Sequence, residues 1–278
     1  MIVIKKVKTK FRKFYLKLFW KISSGLMKFL PQKELEVISE ISCLRQGKGW
    51  GMATISKEVS ACIKLLKYDP IFLVDIGGHK GDYTEEFLKN FPELNCIIFE
   101  PALSDFKFLK HRFESNKRVK IENLALSDFC GESILYLDYL DTSLSSLTRN
   151  KSKLWADQFK LKQVVNVERF DHYCKKNKFD NQIDILKIDV EGLELSILKG
   201  IGQYLNKIKL IQFEFSGANI ETRSFFQDFW YFFLENDFII YRITPKGPFL
   251  IEDYKIFDEN FSVTNYIALN HNLLNSNI

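Results

Sequence analysis

Proline is scarce in this chain of 278 residues, with 6 in all, and glycine numbers only 13. Collagen-like and proline-rich architectures are thereby excluded. Cysteine is sparse and scattered: Cys43, Cys62, Cys96, Cys130 and Cys174 are odd in number, form no CxxC pair and have no histidine at ligand spacing. Neither a disulfide scaffold nor a zinc centre is expected, and the thiols read as buried groups in a reducing compartment. No run of about eighteen uninterrupted apolar residues occurs, which excludes a spanning helix. Charges also break every early apolar stretch before the h-region of a signal peptide can form, so a cytoplasmic protein is expected. Acid is missing from residues 1–33, which carry ten basic side chains; the remaining 30 basic and 35 acidic residues leave the rest of the chain mildly acidic. A nucleic-acid binder would be basic over its body, so no nucleic-acid partner is expected. Core material is abundant: 46% of residues are hydrophobic, among them 26 Phe, 11 Tyr and 4 Trp. That content rules out general disorder and suffices for one large domain or two modest ones.

From Val3 to Phe29 the apolar residues Val3, Val7, Phe11, Phe14, Leu18, Ile22, Leu26 and Phe29 recur in steps of three and four. The spacing predicts a helix whose lysines, Lys10, Lys13, Lys17, Lys21 and Lys28, share another face. Two readings stay open for residues 1–30: peripheral contact with the inner face of a membrane, or packing on the body or on a second subunit in a homo-oligomer. Pro31 ends that helix, a second runs over Glu34–Leu44, and a third opens at Ser56 and stops at Asp69-Pro70. The expected organisation is therefore a basic helical region over 1–69 and a catalytic domain over 70–278.

Ile71–Ile76 (IFLVDI) is a continuous apolar run, as a strand buried on both faces requires. It enters Gly77-Gly78-His79-Lys80-Gly81, after which Asp82–Asn90 reads as a helix. Strand, glycine turn and helix form the first unit of a nucleotide-type α/β fold, in which the helix N-terminus offers free N–H groups. A second strand, Cys96–Phe99, ends in Glu100, 25 residues beyond Asp75, where an acid can accept hydrogen bonds from a ribose diol. The GxGxxG fingerprint of NAD enzymes is absent because His79 occupies the place of its second glycine. Walker A is absent too, for want of a Gly-Lys-Ser/Thr. What stands here is Asp75-x-Gly77-x-x-x-Gly81, which resembles motif I of class I S-adenosylmethionine-dependent methyltransferases.

Further strands follow at Val119–Leu124, before Ala125-Leu126-Ser127-Asp128, and at Ile183–Ile188, which ends in Asp189-Val190-Glu191-Gly192. Taken in order, DIGGHKGDYT, FEP, NLALSD, Ser143–Leu147, VERFDHY, ILKIDVEGLELSILKG and LIQFEF resemble the FkbM family of methyltransferases from near Ile71 to Leu269. The resemblance implies a Rossmann-like class I sheet, mostly parallel with an antiparallel last strand and flanked by helices. It implies S-adenosylmethionine as cofactor, held by Asp75, Gly77, Gly78, His79, Gly81, Tyr83, Thr84, Glu100, Pro101, Ala125, Leu126, Ser127 and Asp189. The family usually has Ala-Asn where this chain has Gly78-His79; glycine keeps the close backbone approach. His79 stays open as a cofactor contact, a solvent-facing loop residue or a base toward the acceptor.

Lys187 and Asp189 share one face of their strand, as do Gln212 and Glu214 on Leu210–Phe215. A buried lysine needs a partner, so Lys187 is expected to pair with Asp189 or Glu214. Methyl transfer to oxygen needs an aligned acceptor and a group to take its proton. Asp189 and Glu191 are the first candidates, with Glu214 and His79 behind them. Carboxylates also suit magnesium, but nothing in the sequence requires a metal, and none is expected. The implied acceptor is a small molecule or glycan hydroxyl, and the basic segment suits one carried on a membrane lipid. A non-catalytic cofactor- or partner-binding module and a nicotinamide oxidoreductase are the other classes this fold allows. Phe225, Phe226, Phe229, Phe232 and Phe233 within Thr222–Glu235 read as a helix packed on the core. Phe238–Ile243 and Asn265–Leu269 read as the closing antiparallel pair, and Thr244–Ser262 as an acceptor-pocket lining or a surface excursion.

Overall fold

A computed structural model describes residues 2–49, 54–137, 146–147 and 161–275. Of the family-like stretch Ser143–Leu147, residues 143–145 lie outside the described residues. The chain separates into two compact units, residues 1–46 and 47–278. The first contains α1 (Ile2–Met27) and α2 (Gln32–Arg45). Pro31 immediately precedes α2, as its missing N–H permits.

The second unit is built on β1 (Phe72–Ile76), β2 (Asn95–Phe99), β3 (Val119–Glu122), β7 (Ile183–Ile188), β8 (Ile208–Phe215), β9 (Phe238–Thr244), β10 (Gly247–Leu250) and β11 (Thr264–Asn270). These form one sheet in the order β10-β9-β11-β8-β7-β1-β2-β3. Strands β3, β2, β1, β7 and β8 are parallel, and β11 runs antiparallel between β8 and β9. The expected reversed last strand is therefore present. β11 lies between two strands rather than at the sheet edge, which β10 occupies. The chain leaves β1 toward β2 and β3, then returns to β7 on the other side of β1. This is a topological switch point, where the carboxyl ends of two adjacent strands diverge into a crevice. Between β3 and β7, β4 (Ala125–Ser127), β5 (Gly131–Leu137) and β6 (Leu161–Arg169) make a separate small sheet in the order β4-β6-β5.

One face of the large sheet packs Val74, Ile76, Leu186, Ile188, Ile211 and Phe213 against α6 (Phe170–Lys176), α7 (Glu194–Ile201) and α9 (Phe226–Glu235). Phe213 stacks on Phe229 and Tyr266, with ring centroids 5.1 and 5.4 Å apart. Phe226, Phe229 and Phe233 are buried as the helical spacing requires, while Phe225 lies outside the helix and is exposed. The expected single helix from Thr222 is two: α8 (Ala218–Thr222) and α9, separated by Arg223 in the left-handed region.

The opposite face buries Leu73, Ile185, Leu210 and Ile267 beneath α3 (Ile55–Leu66) and α4 (Asp82–Asn90). Toward the β3 edge, α5 (Leu103–Arg112) clusters Leu109 with Ile98 and Ile121. Helix α3 starts with Thr54 at the N-cap, not Ser56. It buries Val59, Ala61, Cys62 and Leu66 in this layer, so it folds with the sheet, although the expected domain boundary at 69/70 falls after it. The amphipathic period identifies such a helix, but only tertiary packing decides which body it joins.

Candidate functional site

The loop between β1 and α4 carries the strand end into the helix through two left-handed glycines. Gly77 has φ +80°, and a Cβ there would lie 1.9 Å from the Asp189 carbonyl oxygen. Glycine at this position thus lets the ends of β1 and β7 approach, an approach that the hydrogen bond from Asp189 N–H to the Ile76 carbonyl (3.0 Å) closes. Gly81, φ +83°, caps α4, where a Cβ would meet the Phe113 and Leu109 side chains at 2.6 and 2.7 Å. A Cβ on Gly78 would stand 2.2 Å from Ile98 Cγ2, so the family's usual alanine has no room beside this isoleucine. His79 sits at φ +46°, a region that histidine and asparagine enter more readily than most residues. The replacement of asparagine by histidine is thus conformationally tolerated.

Glu100, at the tip of β2, closes the loop. Its Oε2 accepts from His79 N–H and its Oε1 from Ala102 N–H, each at 2.8 Å. Burial pushes its carboxyl up to about 8, against the pull of those two N–H groups. Asp75 is fully buried behind the loop, with Oδ2 accepting from Thr84 Oγ1 at 2.8 Å. Its Oδ1 has no hydrogen-bond partner among the described residues, and burial raises its carboxyl above the usual range.

A cavity opens at the switch point, the place where ligands bind in open α/β sheets. Gly77, His79, Glu100, Pro101, Ala125, Leu126, Asp189 and Glu191, all expected at the site, line it, and Leu135, Ser146 and Leu147 add to its wall. Its lining joins apolar side chains (Ile76, Phe99, Leu124, Leu126, Leu135) with the carboxylate of Glu100, an acceptor that suits a ribose diol. Other expected contacts are directed elsewhere. Thr84 holds Asp75, and the Tyr83 hydroxyl is buried against Gln212 Oε1 at 2.6 Å. Ser127 is buried and donates to Asp128. Gly78 and Gly81 do not line the cavity, and Asp75 lies beneath the loop. No residue of 244–262 lines the cavity.

Beneath α3 and α4 a polar belt crosses the sheet in register: Asp75 beside Lys187 on β7, and Lys187 beside Gln212 on β8. Lys187 Nζ donates to Asp189 Oδ2 at 2.8 Å and lies 5.1 Å from the Tyr83 ring centroid. The pairing expected from strand alternation therefore forms with Asp189. Burial pulls the Lys187 ammonium down, but Asp189, Asp75 and Glu58 together hold it above its ordinary range. Gln212 Nε2 donates to Glu58 Oε2 at 2.6 Å, and Cys62 Sγ lies 3.2 Å from Gln212 Oε1. Burial pushes Glu58 up to about 7. Sequence reasoning missed Glu58 because nothing local ties an acid on α3 to a sheet.

Asp189 and Glu191 line the cavity and, with Glu214, all half-buried, bring one carboxylate oxygen each to within 4.8 Å of one another. Burial, reinforced by the neighbouring Asp189, pushes Glu191 up to about 8 and Glu214 well above its usual range. Three such oxygens can take a proton, and their chemistry also suits a hard divalent cation. The Asp189–Gly192 turn is held by Glu194, whose Oε1 accepts from Val190 N–H (3.2 Å) and Gly192 N–H (3.1 Å). Asn219 Nδ2 reaches its Oε2 at 3.3 Å. A glutamate in the first turn of a helix, facing unpaired N–H groups, was the signal available in the sequence.

Glu58, Glu100, Glu191 and Glu194 share one direction of shift, which sets a pH dependence. Each is protonated more readily folded than unfolded, so its stability is fully present below the unfolded value and is lost as pH rises through the folded one. Depressed carboxylates such as Asp171 contribute constantly above about pH 5 and do not oppose this trend. The midpoint of thermal unfolding of the ligand-free protein is expected to fall between about pH 5.5 and pH 8.5. A midpoint that rises across that interval would show these carboxyls to be ionised without penalty.

The model of the methyltransferase FkbM domain matches residues 75–240, more than half of the chain. Methyltransferase 1 of Beauveria bassiana is 26% identical over 149 residues, covering 48% of this chain and 59% of its own length. The chain thus spans about three fifths of that curated relative. The 2-O-methyltransferase NoeI of Sinorhizobium fredii is 27% identical over 165 residues, covering 56% and 67%. A solved plantazolicin methyltransferase, BpumL in complex with SAH, superposes with a TM-score of 0.43 at 10% identity, covering 88% of this chain and 93% of that one. With the family's motifs lying at the switch point of a class I sheet, the chain belongs to the FkbM methyltransferase family, whose cofactor is S-adenosylmethionine.

Proposed function

We propose that this protein transfers a methyl group from S-adenosylmethionine to a hydroxyl oxygen of a saccharide or related glycoconjugate. The observation that carries the reading is the group of three carboxylates, Asp189, Glu191 and Glu214, two of which, Asp189 and Glu191, line the same cavity as Gly77, His79 and Glu100. The NoeI relative, a 2-O-methyltransferase, supports oxygen as the acceptor atom. The sulfonium donor supplies a methyl carbon already activated toward displacement. The chain's own residues then have two tasks, alignment and proton removal. Asp189 takes the first role as base, because Lys187 fixes one of its oxygens and orients the other. Glu191 and Glu214 share the proton through their mutual proximity, and His79 and Glu100 hold the adenosyl end.

Two measurements test this. S-adenosylhomocysteine is expected to raise the unfolding midpoint, by a margin equal to about 2.7 kcal/mol at a hundred times its Kd, while NAD leaves it unchanged. A shift with NAD alone would transfer the chain to the oxidoreductases. Label from methyl-labelled cofactor is expected in saccharide-containing fractions of a cell extract treated with the enzyme. Label confined to nucleic acid or protein would refute the acceptor class.

A further inference from the structure

We propose that the segment around α1 is a docking surface for an anionic lipid bilayer, lying in its interface rather than crossing it. This inference does not depend on the acceptor. Residues 1–33 contain ten basic side chains and no acid. Within the described part of α1 and the turn after it, large apolar side chains stand in solvent: Phe14 at 65% exposure, Trp20 at 73% and Phe29 at 88%, with Leu18, Phe19 and Ile22 also exposed. Phe14, Leu18 and Ile22 recur every four residues and share a face, Lys17 and Lys21 lie on the adjoining one, and Lys28 follows in the turn after the helix. Among the described residues no helix is long and apolar enough to cross a membrane.

The charge pattern selects the occupant. A second copy docked through the same segment would place ten cations against ten, with no acid on either side to pair them, and like charges across an interface are penalised. A nucleic acid would satisfy the lysines but leave the aromatic and aliphatic face in water. A bilayer with anionic headgroups satisfies both, since the apolar side chains enter the acyl boundary while the lysines reach lipid phosphates.

The test is co-sedimentation of the full chain with vesicles of phosphatidylcholine alone or with about 30% phosphatidylserine. Binding is expected only to the anionic vesicles and is expected to weaken with salt. The triple variant K17Q/K21Q/K28Q is expected to bind about a hundredfold more weakly, roughly fivefold for each lysine. F14S/L18S/I22S is expected to lose binding as well, while both variants keep the wild-type thermal shift with S-adenosylhomocysteine, which shows the body intact. Absence of vesicle binding, equal binding to neutral vesicles, or full binding by the lysine variant would overturn the proposal. So would a stable dimer that F14S/L18S/I22S dissociates, or a preference for duplex DNA over vesicles.

Discussion

Asp189→Asn is expected to lower methyl transfer by about 10²–10⁴-fold, the usual contribution of a positioned general base. The assay uses whichever extract fraction accepts label from the wild-type enzyme. The substituted amide keeps the shape of the side chain and can still contact Lys187 Nζ, but it cannot take a proton. The backbone N–H of this residue, bonded to the Ile76 carbonyl, is untouched, so the cavity wall stays in place. Affinity for S-adenosylhomocysteine is therefore expected to change by no more than about threefold, separating a chemical role from a binding one. Some stability is also lost, because the buried Lys187 then relies on Asp75 and Glu58 for compensation. A variant that turns over at the wild-type rate would remove Asp189 from the mechanism and leave Glu191 or Glu214 as the base.

Gly77→Ala acts on architecture rather than chemistry. Its methyl would sit 1.9 Å from a backbone oxygen, and the backbone at φ +80° disfavours any side chain. No flexible side chain can move aside, because the obstacle is the end of the neighbouring strand. The ends of β1 and β7 must part, at a cost of about 3 kcal/mol or more, and the cofactor cavity opens with them. Thermal unfolding should show a midpoint lowered by several degrees and no further shift with S-adenosylhomocysteine. Gly25→Ala is the control, since nothing lies within 4 Å of its added carbon. As a helical glycine it is expected to stabilise by up to about 1 kcal/mol. Equal behaviour of the two variants would mean that β1 and β7 do not meet as described.

The parts of this site legible in the sequence are those encoded by local pattern. IFLVDI reads as a doubly buried strand because nothing in it is polar until Asp75, and the glycine turn and Glu100 follow at fixed distances. Strand alternation was enough to place Lys187 and Asp189 on one face, and burial of a lysine demanded the pair. What was hidden depends on tertiary packing. Tyr83 looks like a loop-proximal contact, yet helix α4 turns it under the sheet toward Gln212. Glu58 joins the same network from a helix whose membership of the sheet layer no local signal announces. The β5–β6 pair was missed because Gly131 starts β5 rather than joining the two strands, which are separated in sequence by residues 138–160.

On the proposed reading, the cavity bounded by Gly77, Glu100 and Leu126 receives the adenosyl group of the methyl donor. A crystal grown with S-adenosylhomocysteine tests it most directly. An ordered nucleoside is expected at that switch point, with its ribose hydroxyls donating to Glu100 and its sulfur facing the Asp189 side. A nucleoside bound elsewhere, or side chains filling the crevice in the presence of saturating product, would contradict it.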